Sequence, residues 1–325
     1  MSDLSRVTVL AGGLSHERDV SLRSGRRVAE ALRDVGVEVE VRDVDAALVT
    51  ALATERPDAV LPMLHGVNGE DGALRSVLDL LGVPYVGTAP AACRIAFDKP
   101  TAKTLVSTAG VITPAWVALP HETFRELGAA TLLEAIVDQL GLPLVVKPAH
   151  GGSALGVAVV RRPEELTAAM VGAFAYVSTA LVERFVDGIE VAVSVVDVGD
   201  GPRALPAVEI VPDGGLYDYT ARYTAGMTEF FVPARLPAAA AGAAAALAVA
   251  AHRALELRDL SRTDLIIDEA GTGWFLEVNV APGMTETSLF PMAVAAAGLD
   301  LGTLMRDLLA AAAARGSGSV AANQA

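Results

Sequence analysis

The segment Trp274 to Thr285 reads Trp-Phe-Leu-Glu-Val-Asn-Val-Ala-Pro-Gly-Met-Thr, an apolar strand that carries a carboxylate and an amide and stops at a Pro-Gly turn. Strand side chains alternate, so Glu277 and Asn279 share one face while Leu276, Val278 and Val280 take the other. Upstream, Ser261 to Ile267 repeats the arrangement with Arg262 and Asp264 on a common face, and the turn Asp268 to Gly273 can fold both strands into a hairpin. Pairing would focus three oxygen ligands and a guanidinium on one spot, which suits a hard cation such as Mg2+ held with phosphates. A solvated edge hairpin also carries charges, but these neighbours are nearly all aliphatic, where a charge is costly unless paired or metal-bound. The pattern is that of a nucleotide-dependent enzyme.

With 325 residues, 52% of them hydrophobic, the chain can build a large core or two to three smaller ones. Its net charge of -14, with Lys and Arg scattered and no basic run, argues against nucleic acid or an anionic membrane as partner. Cys93 is the single cysteine, so no internal disulfide or cysteine metal cluster is possible, and a cytosolic location is expected. The mean hydropathy of +0.45 owes much to alanine. The run from Ala238 to Ala251 is interrupted by Gly242 and falls short of the roughly 20 residues a spanning helix needs. It reads as a helix of a soluble protein continuing through Leu257, so no membrane insertion is expected, and no secretory signal is expected from Met1 to Arg6.

Strand and helix signals alternate from Arg6 to Leu81, which predicts a parallel-sheet, Rossmann-like α/β domain over residues 1–98. A helix from Asp98 to about Ala109, a Pro-containing connector into an edge strand at 111–117, strands at 142–148, 156–160 and 180–186, and a helix from Pro163 to Ala173 suggest a small α+β unit over 99–187. Residues 188–316 combine apolar strands, a Gly- and Tyr-rich loop at 213–226, the alanine helix and the hairpin, and a mobile tail is expected over 317–325.

Gly151-Gly152-Ser153-Ala154-Leu155-Gly156 joins two strands, and its backbone N–H groups could close over phosphates, although it is no Walker A loop. Lys147, on a strand otherwise made of Leu and Val, wants an anionic partner, and phosphate is the natural candidate. Glu183 and Glu190 read equally as contacts to a nucleoside and as surface strand charges. Asp71 serves equally as a helix cap. His65 and Glu17 stand outside the carboxyl ends of strands, where α/β sheets bind ligands. The loop around Tyr217, Arg222 and Tyr223 reads as a lid or as an aromatic partner surface.

Taken in order, Ala11-Gly12-Gly13-Leu14-Ser15-His16-Glu17-Arg18-Asp19-Val20-Ser21, His65-Gly66 with Gly69-Glu70-Asp71-Gly72, Asp98-Lys99, the Lys147 strand with its glycine loop, Tyr217-Asp218-Tyr219, and Glu277-Val-Asn279-Val-Ala-Pro-Gly283-Met-Thr resemble the D-alanine:D-alanine ligases of the ATP-grasp superfamily over residues 6–312. The resemblance implies an ATP-grasp fold of three α/β and α+β domains, with ATP between the central and C-terminal ones. It also implies Mg2+ or Mn2+ as cofactor, two ions per site, D-alanine and ATP as substrates, and a homodimer. D-alanine carboxylate would attack the γ-phosphate, and the amine of a second D-alanine would displace phosphate from the acyl phosphate.

By the same resemblance Lys99 and Lys147, with Gly151, Gly152 and Ser153, hold phosphate, Glu183 and Glu190 hold adenosine, and Asp264, Glu277 and Asn279 bind the metal ions. Arg262 and the Gly283 N–H would stabilise the tetrahedral intermediate. Glu17 holds the first ammonium, His65 helps position or deprotonate substrate, and Ser288 binds the second carboxylate. Glu17, Ser153 and Tyr223 form a triad tying down the lid; ester-forming relatives commonly have a histidine at the position of Tyr223, so an amine nucleophile is expected. The chain departs from the usual pattern at Arg222, where a lysine that contacts phosphate and the second substrate is common, and at Gly151, Ala154, Val280 and Ala281. Rival readings are a related ligase with D-serine, D-lactate or a secondary-metabolite amino acid as acceptor, and a non-catalytic nucleotide-binding regulator.

Overall fold

Four consecutive buried residues, Val7 to Leu10, form the central strand of the N-terminal sheet, and with three aliphatic side chains and a fully buried Thr8 they suit a strand covered on both faces. The computed structural model describes residues 4–316 except His16, Leu216, Asp218, Tyr219, Thr220, Tyr223 and Ala225. Tyr223 and the tail at 317–325 therefore lie outside the described residues. The N-terminal elements are β1 (Val7–Leu10), α1 (Arg18–Asp34), β2 (Val39–Arg42), α2 (Leu48–Glu55), β3 (Ala59–Pro62), α3 (Val67–Glu70), α4 (Ala73–Leu81), α5 (Pro90–Phe97) and α6 (Lys99–Thr108). The strands form a parallel sheet in the order β2-β1-β3, with Val7 opposite both Val39 and Ala59. α1 lies close across the end of β1. A Cβ on Gly25 would stand 2.4 Å from that of Ala11, so only glycine permits the approach.

The middle of the chain builds β4 (Trp116–Pro120), α7 (His121–Leu127), α8 (Ala129–Leu140), β5 (Leu144–Pro148), β6 (Ala158–Val160), α9 (Leu166–Phe174) and β7 (Thr179–Arg184). Its antiparallel sheet runs β4-β7-β5-β6. The edge strand begins at Trp116, after a connector through Pro114, which cannot donate to a ladder, as expected for this stretch.

The last third folds as β8 (Ile189–Val196), β9 (Arg203–Ala204), β10 (Val208–Pro212), β11 (Thr228–Phe231), α10 (Ala238–Ala254), β12 (Leu260–Ile267), β13 (Gly273–Asn279), α11 (Leu289–Ala296) and α12 (Leu301–Arg315). The sheet order is β11-β10-β8-β12-β13, with β9 beside β8. Alternation along β8 serves two cores. Val191, Val193 and Val195 pack with the alanines of α10, whereas Ala192 and Val196 share a core with Phe290, Leu308 and the N-terminal Val7 and Val9. α10 stops at Ala254 rather than continuing through Leu257. α12 lies on α1 and β3, so the end of the chain is anchored on its beginning and holds the residues after β13 over α1. No single described helix is long and apolar enough to cross a membrane.

Candidate active site

The hairpin deduced from alternation is present. β12 and β13 pair antiparallel with Arg262 opposite Asn279 and Asp264 opposite Glu277. Arg262 grips Asp264 through two parallel hydrogen bonds, Nε to Oδ1 at 2.7 Å and Nη2 to Oδ2 at 2.8 Å. The Asn279 side-chain oxygen accepts from the N–H of Ala281 at 2.7 Å, which turns the chain toward Gly283. Burial alone would raise the Glu277 carboxyl, but Lys99, Lys147, Arg222 and Arg262 outweigh it and hold it at about 2. Lys99 reaches Glu277 at 3.4 Å while donating to the carbonyl of Gly151 at 2.6 Å.

Two adjoining cavities open from this hairpin. The larger, about 780 Å³, is walled by the glycine loop, Lys147, β7 and its exit, and Glu277. At its back Glu183 lies between two lysines, 2.6 Å from Lys147 and 2.8 Å from Lys103. Burial pushes the Glu183 carboxyl up, yet the two ammonium groups prevail and keep it below its ordinary value. The buried partner of Lys147 is thus Glu183, an anion of the protein itself, with its Nζ still at the cavity wall. Glu190, farther along, is driven up to about 7 by burial. In the loop, Ser153 and Ala154 both hold left-handed backbone, and the Ser153 hydroxyl donates to Glu17.

The smaller cavity, about 130 Å³, is bounded by Glu17, His65, Glu70, Arg262, Asn279, Gly283 and Ser288. His65 donates from Nδ1 to the carbonyl of Ala281 and accepts at Nε2 from the Ser24 hydroxyl, both at 2.9 Å. Ser24 in turn accepts the N–H of Met284 at 3.0 Å. A carbonyl can only accept, so this chain of bonds fixes the Nδ1–H tautomer, and burial lowers the imidazole pKa to match. With both ring nitrogens occupied, His65 supports the 281–284 turn. The Gly283 N–H between those anchors has no partner among the described residues. Glycine at 66, with φ +71, leaves room for the Glu17 carboxylate, which a Cβ would meet at 2.0 Å. Glu70 is pushed up to about 8 by burial and by Glu17.

Every expected site residue among the described ones lines one or both cavities, and Glu17, Lys99, Gly151, Gly152, Ser153, Arg222 and Glu277 line both. Tyr223 lies outside the described residues. Sequence reasoning passed over Lys103, which is fully buried and binds Glu183, the Thr113 hydroxyl (2.6 Å) and the carbonyl of Phe275 (3.3 Å). Its i, i+4 spacing from Lys99 on α6 was the available signal. Ser24 and Arg27, which hold the 284–285 backbone, were also missed.

No three His, Cys, Asp or Glu side chains converge on a common metal position among the described residues. Asp264, Glu277 and Asn279 nevertheless fit a hard divalent cation. Their donors are oxygens on facing strand positions, Glu277 is held ionised, and each Asp264 oxygen keeps a lone pair beyond its Arg262 bond.

Residues 105–310 match the family described as D-ala D-ala ligase C-terminus, and residues 43–88 that described as D-ala D-ala ligase N-terminus. The chain belongs to the D-alanine–D-alanine ligase family. It is 41% identical over 308 residues to the D-alanine–D-alanine ligase of Anaeromyxobacter dehalogenans, covering 95% of this chain and 97% of that protein. A second relative, the D-alanine–D-alanine ligase of Bordetella pertussis, is 41% identical over 310 residues, with coverage of 95% and 96%. Among solved structures, the VanG D-Ala:D-Ser ligase of Enterococcus faecalis superposes with a TM-score of 0.82 at 28% identity, covering 95% of this chain and 99% of that one. The D-alanine–D-alanine ligase of Bacillus anthracis complexed with ATP superposes with 0.78 at 29% identity, over 96% and 98%. These neighbours establish the ATP-grasp fold, and as a ligase of this family the chain is an ATP-binding enzyme.

Proposed function

We propose that this ligase joins two D-alanines at the expense of ATP, through a D-alanyl phosphate, to supply D-alanyl-D-alanine for peptidoglycan. The observation that carries the reading is the junction of the two cavities at Lys99 and Glu277, where a nucleotide phosphate from one side can meet a carboxylate from the other. In this reading ATP occupies the larger cavity, with adenosine at Glu183 and Glu190 and phosphates under the glycine loop, Lys99 and Lys147. Arg222, at the junction of both cavities, adds a cation on the phosphate side.

Glu17 binds the ammonium of the first D-alanine and, through Ser153, keeps the loop over it. When the amine of the second D-alanine attacks the acyl phosphate, Arg262 and the Gly283 N–H face the oxygen that gains charge. Ser288 receives the acceptor carboxylate. Asp264, Glu277 and Asn279 would hold Mg2+ or Mn2+, which when bound neutralises phosphate charge. In this reading the protein acts in the cytosol, which its single cysteine favours, and as a homodimer, which only the family resemblance implies.

D-serine is the acceptor that deserves a direct comparison, because the VanG neighbour is a D-Ala:D-Ser ligase. Purified protein with ATP, Mg2+ and a panel of D-amino and D-hydroxy acids, with phosphate release measured and products identified by mass, tests the assignment. The expected product is D-alanyl-D-alanine. Turnover preferring D-serine or D-lactate overturns the acceptor, and absence of turnover with any acceptor overturns the enzyme.

A further inference from the structure

We propose that Arg23 is a second anchor for the carboxylate of the acceptor amino acid, a role that rests on the ligase reading above. The placement follows from α1. Val20, Arg23, Ser24 and Arg27 are spaced three and four apart and share a helix face. That face is pinned along the 284–285 backbone at two points: Ser24 accepts from Met284 N–H at 3.0 Å, and Arg27 donates to the carbonyls of Met284 and Thr285. Arg23, next to Ser24 and one turn before Arg27, lines the smaller cavity together with Thr285, Thr287 and Ser288.

Four cations line that cavity: Arg23, Lys99, Arg222 and Arg262. The ligase reading gives Lys99 to phosphate and Arg262 to the oxyanion, and each is also tied within the protein, Lys99 to Gly151 and Glu277 and Arg262 to both oxygens of Asp264. Arg222 stacks over the Tyr217 ring at 4.2 Å and holds the carbonyl of that residue through Nε. Arg23, exposed at the rim, makes no hydrogen bond or ion pair with any described residue.

An acceptor that attacks as a free amine also brings a carboxylate, which must be matched by charge when it leaves water. Glu17, Glu70 and Glu277 make most of the cavity wall unsuitable for it. Ser288 can supply a hydroxyl hydrogen bond, and Arg23 supplies the uncommitted charge with a planar fork suited to a carboxylate.

The test compares wild type, R23Q and R23K in steady-state ligation, resolving the KM of the first D-alanine from that of the acceptor and offering D-alaninamide as an acceptor that lacks the carboxylate. R23Q is expected to raise the acceptor KM for D-alanine about tenfold while leaving kcat and the first-site KM within about twofold. R23K recovers most of the loss, and turnover of D-alaninamide does not respond to either change. An unchanged acceptor KM, or equal losses with D-alanine and the amide, overturns the anchor. If none of the three proteins accepts the amide, the split between the two D-alanine sites decides alone. Failure of the wild type to make any dipeptide is a separate result that overturns the ligase reading, and the anchor with it.

Discussion

The two cavities meet at Lys99 and Glu277 but manage their charge in opposite ways. In the larger, Lys103 and Lys147 both pair with Glu183 within the protein, which places that wall before any ligand arrives and leaves it one positive charge in excess. In the smaller, Glu17, Glu70 and Glu277 crowd a confined space, and Glu70 answers by holding its proton up to about pH 8. This pocket is preformed, because its buried carboxylate already has both of its cations. The substrate pocket stays electrostatically open, and an ammonium entering beside Glu17 relieves it.

Glu277 belongs to both cavities, so its loss has the largest expected effect. Glu277→Gln preserves shape and removes the charge that Lys99 and Arg262 face. Phosphate release is expected to fall about a thousandfold or more, roughly 4 kcal/mol of barrier, with the fold retained but less stable at neutral pH, since a carboxyl held at about 2 stabilises the folded state above its ordinary 4.5. Wild-type rates in this variant would break the idea that the two cavities join at a reacting centre.

Glu70 and Glu183 should give opposite pH signatures. Glu70 has a folded value of about 8 against an ordinary 4.5, so its burial costs nothing below pH 4.5 and progressively more as pH rises to 8. Glu70→Gln removes that penalty, and about 4 kcal/mol of added stability is expected at pH 8, with none at pH 4, in urea unfolding. Glu183 is held below 4.5, so its contribution is present above that pH and fades as pH falls further. Equal stability of wild type and Glu70→Gln at pH 8 would erase the contrast.

Lys103→Met and Lys147→Met sharpen the account of the larger cavity. Lys103 is enclosed and Lys147 borders the cavity, so losing Lys103 is expected to cost about 3 kcal/mol of stability with a modest rise in the KM for ATP. Lys147→Met should reverse the balance, with a larger rise in KM and a smaller loss of stability. Matching effects in both variants would mean that the buried pair and the cavity wall are not separate functions.

The hairpin carrying Glu277 was legible because strand alternation is local: reading Arg262, Asp264, Glu277 and Asn279 on one face needs only neighbouring residues. Lys147 stood out for the same reason, as a charge in an aliphatic strand. Its partner did not, since Glu183 reaches it only when β5 and β7 pair. Lys103 resembled an ordinary polar residue of an amphipathic helix, and only the packing of α6 against β13 shows it to be enclosed. α7 and α8 lacked a sequence cue strong enough to mark them, and α12 on the N-terminal sheet is a contact between chain ends that no local pattern encodes.

The smallest effect is expected at His65, where the two roles open from sequence, positioning and deprotonation, make different predictions. In the structure Nδ1 donates to Ala281 and Nε2 accepts from Ser24, which also holds Met284, so the imidazole braces the turn that presents the Gly283 N–H. His65→Asn can still donate to the Ala281 carbonyl but loses the bond to Ser24, and a displaced oxyanion donor should lower kcat about tenfold. The KM for ATP should stay the same, because His65 borders only the smaller cavity. The acidic limb of the pH–rate profile should also keep its position, since a braced neutral imidazole does not titrate in the reaction. Were His65 the base instead, that limb would vanish in His65→Asn and kcat would drop a hundredfold or more. Such a profile would move His65 from the brace of the smaller cavity to its chemistry, and leave Ser24 alone to hold Met284.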